Sequence, residues 1–126
     1  MPTSVSKKKK KKTQAWYRRK CMDIVKAKVR EHGYCEYCGA QSPFVQLQGA
    51  HILPETYHST CAEPKNILCL CAKCHKWNKG SWHKSPEIAI WFYRNQRKRY
   101  EELEVMKYWP EPNWEEKYEE LKKTAP

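Results

Sequence analysis

Apolar positions in the first third of the chain recur at a helical interval. Tyr17, Cys21, Ile24, Val25 and Val29 line one stripe, Thr13 stands where a side-chain cap is needed, and Gly33 falls where a C-terminal cap belongs, so a helix is predicted from about Thr13. The period then shortens. Phe44-Val-Gln-Leu-Gln48 alternates apolar and polar residues and reads as a short strand, and Gly49 to Leu53 offers a second, with His51 on or near it, before Pro54 ends regular pairing. Residues 54 to 65 are polar, bounded by Pro54 and Pro64, and read as a loop holding Glu55, His58 and Cys61. Asn66 to Leu70 leads into a short helix over Cys74-His75-Lys76-Trp77-Asn78-Lys79, which Gly80 stops. Ser85 and Pro86 then supply a cap and a first helical residue for a helix predicted to run to about Met106. Trp109-Pro-Glu-Pro breaks it, and Glu115 to Lys123 forms a last short helix. Trp109, Trp114, Tyr118 and Leu121 are expected to dock onto the domain.

These elements are few for a chain of 126 residues, which is enough for one small domain that needs a staple. Seven cysteines is an odd number, and the Met1-Pro-Thr-Ser-Val-Ser start runs into lysines with no apolar leader, so a reducing compartment with metal-bound thiolates is favoured over disulfides. No apolar run has the roughly 18 residues that a membrane span requires, so no membrane role is expected. Lys7 to Lys12 is a six-lysine block that repels itself, giving an arm over 1–13, a domain with its flanking helices over 14–108, and a tail over 109–126.

Charge adds a partner to this outline. The formal net charge is +11, and residues 1–32 alone carry twelve Lys or Arg against two Asp or Glu. Such a concentrated excess favours a polyanion, nucleic acid above all, because each neutralised phosphate releases a counterion. Arg18, Arg19 and Lys20 on the first helix, with Lys76 and Lys79 near its predicted counterpart, are the candidate phosphate contacts, and the salt dependence of binding is their signature.

Two Cys-x-x-Cys knuckles, Cys35/Cys38 and Cys71/Cys74, have the spacing of a tetrahedral four-sulfur zinc site. Cys69 is the competitor, but a Cys-x-Cys pair makes a poorer knuckle, so it is expected to be a small buried hydrophobe on a strand; Cys21 and Cys61 are expected to be free thiols. Four sulfurs close the coordination sphere, which makes this zinc structural. Any catalysis must come from other residues.

Taken in order, Cys35-x-x-Cys38, Ala50-His51-Ile52, Asn66-Ile67-Leu68 and Cys71-x-x-Cys74-His75 resemble the HNH endonucleases, in the subgroup braced by a four-cysteine zinc and similar to phage and NinG-like nucleases. The resemblance implies an α+β fold, with a small ββα-metal core stapled by the zinc and flanked by N- and C-terminal helices. It implies hydrolysis of DNA phosphodiester bonds in the cytoplasm of a bacterial or phage-infected cell. It casts His51 as general base, Asn66 as the residue holding the base or its loop, and His75 as ligand to one catalytic divalent ion, Mg, Mn, Ni or Zn.

One position departs from the family. Many members carry a metal-ligating residue just before the base, where this chain has Ala50. His83 and Asn78 are then the candidates to join His75 at the catalytic ion, with His58 and Glu55 behind them. The rival reading is a zinc-stapled nucleic-acid-binding module whose HNH site is degenerate and cuts nothing. A cysteine-based redox enzyme fits poorly, because the knuckles form a matched pair without a surrounding βαβ pattern.

Overall fold

The structure is a computed structural model that describes residues 11–77 and 87–124, without the side chains of Lys76, Trp77 and Thr124. Helix α1 spans Gln14–Arg30, and its cap is as the sequence predicts: the Thr13 hydroxyl accepts from the Trp16 N–H at 3.1 Å. Lys28 and Arg30 occupy the last turn, where they suit the negative end of the helix dipole, and Gly33 follows with φ of 82°. Strands β1 (Leu47–His51) and β2 (Ile67–Cys71) form one antiparallel pair, with His51 opposite Ile67 and Leu47 opposite Cys71.

The hairpin differs from the sequence expectation in one respect. The residues expected to form two strands, 44–48 and 49–53, supply the single strand β1, because Phe44 and Val45 are held in a turn by hydrogen bonds to the Gln41 carbonyl. Its partner β2 is buried at every position, so its sequence is an unbroken apolar run without the alternation that marks a half-exposed strand.

The pleat sends alternate residues to opposite faces, which divides the core. On one face Ile67 joins Cys21 and Val25 of α1, Cys61, Ala62 and Trp114. On the other, Ala50, Leu68 and Leu70 join Ile88 and Phe92 of helix α2 (Glu87–Asn95), and Cys35, Cys69, Cys71 and Cys74 complete this cluster around the end of β2. Helix α3 (Arg97–Met106) places Leu103 and Met106 against Leu53 in a third cluster.

The single helix expected from Pro86 to Met106 is broken at Gln96, whose φ of −127° and ψ of 40° are not helical. The break lets two short helices serve different clusters. Arg99, on α3, turns inward. Its guanidinium donates to the carbonyls of Lys65 (2.6 Å) and Ile67 (3.0 Å) and meets Glu36 at 3.3 Å, while the other Glu36 oxygen accepts from the Cys69 N–H at 2.7 Å. One side chain thus ties α3, β2 and the first knuckle together.

Helix α4 (Trp114–Thr124) packs along α1. Trp114 is buried, its N–H donating to the Gln14 side-chain oxygen at 2.8 Å and its indole to Glu111 at 2.6 Å, and Tyr118 and Leu121 pack beside it. Trp109, expected to dock with them, is 55 % exposed, because the turn that closes α3 leaves it facing solvent. No described helix is long and apolar enough to cross a membrane.

Candidate active site and zinc centre

The thiols of Cys35, Cys38, Cys71 and Cys74 lie within 4.8 Å of one another. Cys38 Sγ and Cys71 Sγ are 3.7 Å apart, which matches the edge of about 3.8 Å that a tetrahedron with Zn–S bonds of about 2.3 Å requires. The first knuckle is shaped by Gly39, whose φ of 79° carries the turn in which its N–H meets the Cys35 carbonyl at 2.9 Å. Burial pushes the Cys38 and Cys74 thiols up. Burial opposes ionisation of Cys35 as well, yet backbone N–H groups of Cys38, Cys71 and Tyr37 outweigh it and bring that thiol below its ordinary value. The donor set and its spacing fit zinc, and among the described residues no other group of three or more His, Cys, Asp or Glu is gathered closely enough to hold a metal. Cys69 stays apart as a buried strand residue, its thiol pushed up to about 11 by burial.

His51 ends β1, half-buried, with Nε2 2.8 Å from the carbonyl oxygen of Cys61. A carbonyl can only accept, so Nε2 carries the proton and the lone pair of the neutral ring sits on Nδ1. Burial lowers the imidazole pKa below 6.5, reinforced by the charge of Lys26 and countered by the Cys61 carbonyl and Glu55. The ring is therefore neutral at pH 7, with Nδ1 able to take a proton.

Asn66 is fully buried at the end of a 3₁₀ turn (Pro64–Asn66) leading into β2. Its Oδ1 accepts from the Leu53 N–H at 2.7 Å, and its Nδ2 donates to the carbonyls of Leu53 (3.1 Å) and Thr60 (3.0 Å). Both ends of the 53–60 loop are clamped by one amide, and that loop delivers the Cys61 carbonyl to His51. Successive turns, Tyr57 N–H to Pro54 and Thr60 N–H to Tyr57, stiffen it between. Replacing Asn66 with alanine removes all three bonds and strands buried backbone groups, so urea unfolding should show a loss of about 3 kcal/mol.

His75 lies in a single wide helical turn (Lys73–Trp77) directly after β2, and is buried, with Nδ1 2.7 Å from the side-chain oxygen of Gln48. An amide oxygen accepts, so Nδ1 donates and the lone pair of the neutral ring lies on Nε2, the arrangement that suits a metal ligand held from behind. Gln48 and His75 line a cleft of about 530 Å³ beside β1, together with Lys26, Arg30 and Gly49.

Residues 35–83, which contain the four clustered cysteines, His51, Asn66 and His75, match the family model described as HNH endonuclease. Over this segment the chain is similar to the HNH endonucleases. No curated protein and no solved structure matches the chain.

The HNH segment thus holds His51, Asn66 and His75 around one hairpin, on β1, at the entrance to β2 and just beyond its end. Ala50, where many HNH proteins have a ligand, is buried opposite Leu68 and faces the core. His83, Asn78 and Lys79 lie outside the described residues, as does the side chain of Lys76. His58 meets Glu111 at 3.2 Å, and Glu55 is exposed. Arg18, Arg19 and Lys20 line a second cleft of about 650 Å³ with Lys26, Glu55 and His58. Two contributors escape a sequence reading. Cys61 acts through its backbone carbonyl, which no residue type announces, and Gln48 is one more polar residue in an alternating strand.

Proposed function

We propose that the chain is a metal-dependent DNA endonuclease in which His51 is the general base. The observation that carries this reading is the hydrogen bond from His51 Nε2 to the Cys61 carbonyl, within an HNH segment. It directs the basic nitrogen, Nδ1, away from the protein's own acceptor. Nδ1 takes a proton from water as the water oxygen bonds to phosphorus; the bond to the 3′ oxygen breaks, that oxygen takes a proton from solvent, and a 5′ phosphate and a 3′ hydroxyl result. Asn66 positions the loop that orients the base. His75, backed by Gln48, would hold the catalytic divalent ion, with His83 or Asn78 as further ligand; that ion, Mg, Mn, Ni or Zn, supplies stabilisation of charge on the phosphate. Arg18, Arg19 and Lys20, with Lys76, Lys79 and the lysine-rich arm, grip the backbone without reading bases. The phage-type and NinG-like kinship belongs to the same reading.

One observation favours the rival, a zinc-stapled binding module that cuts nothing: Ala50 offers no ligand and is closed into the core. Supercoiled plasmid incubated with Mg, Mn, Ni or no added ion separates the two. Nicking or linearisation that depends on the added ion is expected. Intact plasmid in every lane, with binding retained, would favour the module.

A further inference from the structure

Lys26 lies on α1, outside the HNH segment, yet it reaches the centre of the site. Its aliphatic stem crosses β1 at Gly49: a β-carbon on Gly49 would sit 2.8 Å from Lys26 Cγ, 3.2 Å from Lys26 Cβ and 2.9 Å from Ile67 Cγ2. Gly49 is therefore a notch that lets a lysine stem lie flat against the strand between Gln48 and His51. Past the notch, Lys26 lines both clefts, the one bounded by Arg18, Arg19, Lys20 and Glu55 and the one bounded by Gln48 and His75.

Of the cations in the two clefts, Lys26 is the one whose stem is laid against β1 beside the site. Lys65, Lys107, Lys117, Arg97 and Arg99 each meet a carboxylate, at 2.6 to 3.4 Å. Among the described residues Lys26 forms no ion pair. An ammonium without an ion-pair partner, carried into an open cleft on a stem packed against the strand, suits an anion from outside.

We propose that Lys26 is the cation that holds the scissile phosphate between His51 and His75, contributed to the HNH site by the N-terminal helix through the notch at Gly49. This rests on the nuclease reading and extends it to a residue the family segment does not contain. An ammonium beside the phosphate neutralises charge that grows on its oxygens as water attacks, which is worth most in the transition state. The same charge disfavours protonation of His51, so one residue both attracts the substrate and keeps the base neutral.

The test uses the full-length, zinc-loaded chain and a linear DNA duplex. Lys26→Met keeps the stem that fills the notch and removes the charge; Lys26→Arg keeps a cation. Zinc content and thermal unfolding establish that each variant is folded, and Lys26→Gln replaces Lys26→Met if the latter is not. Single-turnover cleavage is measured at saturating Mn, and the dissociation constant on the same duplex with the ion withheld. Lys26→Met should lose about 100-fold in rate at saturation. Its affinity should weaken by less than about fivefold, as for one phosphate contact among several. Lys26→Arg should keep the rate within about tenfold of wild type. Wild-type rate in Lys26→Met, or a loss confined to affinity, overturns the proposal while leaving the nuclease standing. A wild-type chain that leaves the DNA intact with every added ion sinks the nuclease reading, and the Lys26 proposal with it.

Discussion

Replacing His51 with alanine should lower the single-turnover rate of DNA cleavage by about 1,000-fold, within the range a positioned general base contributes. Binding should change little, because a ring that is neutral at pH 7 makes no charged contact with phosphate. Alanine also strands the Cys61 carbonyl, so some loss of stability accompanies it. His51→Gln separates the two effects. A glutamine amide can donate to the Cys61 carbonyl in place of Nε2, but it is not a base, so this variant should be as inactive as His51→Ala and closer to wild type in thermal unfolding. A glutamine variant that keeps substantial activity would mean that His51 acts by packing alone.

Losing the zinc should unfold the protein. A two-stranded sheet is marginal on its own, and here one of the three buried clusters is partly built from the ligating cysteines themselves. Structural zinc contributes on the order of 10 kcal/mol of binding free energy, comparable with the whole stability of a typical domain, which is about 5–15 kcal/mol. Cys71→Ser, or a chelator strong enough to strip the four-sulfur site, should abolish the near-ultraviolet circular dichroism of the packed aromatic residues. Removing weakly held ions with a mild chelator should stop cleavage and leave that spectrum unchanged. If both treatments acted alike on the fold, scaffold and chemistry would not be separable in the way the geometry of the four thiols implies.

The knuckles, the capped first helix and the order of His51, Asn66 and His75 were legible in the sequence because each depends on residue type at fixed spacing. A thiolate pair needs its two intervening residues, and a helix cap needs a hydroxyl before the apolar stripe. What stayed hidden depends on contacts between distant segments. The break at Gln96 follows from the need of α2 and α3 to reach separate clusters. Arg99 looks like any surface cation until the carbonyls of Lys65 and Ile67 are brought beneath it. Gly49 reads as a strand weakener, and its purpose appears only once α1 is laid across it. The Cys61 carbonyl that orients His51 belongs to the backbone, so no choice of side chain records it.

The central claim is that His51 works as a neutral base through Nδ1, and the pH dependence of the wild-type single-turnover rate tests it most directly. Because burial lowers the pKa of His51, the rate should be level through neutrality and fall tenfold per pH unit only in an acid limb centred below pH 6.5. That limb should be missing from the residual activity of His51→Gln. A rate still falling between pH 8 and pH 7, or an acid limb that survives in His51→Gln unchanged, would contradict the account.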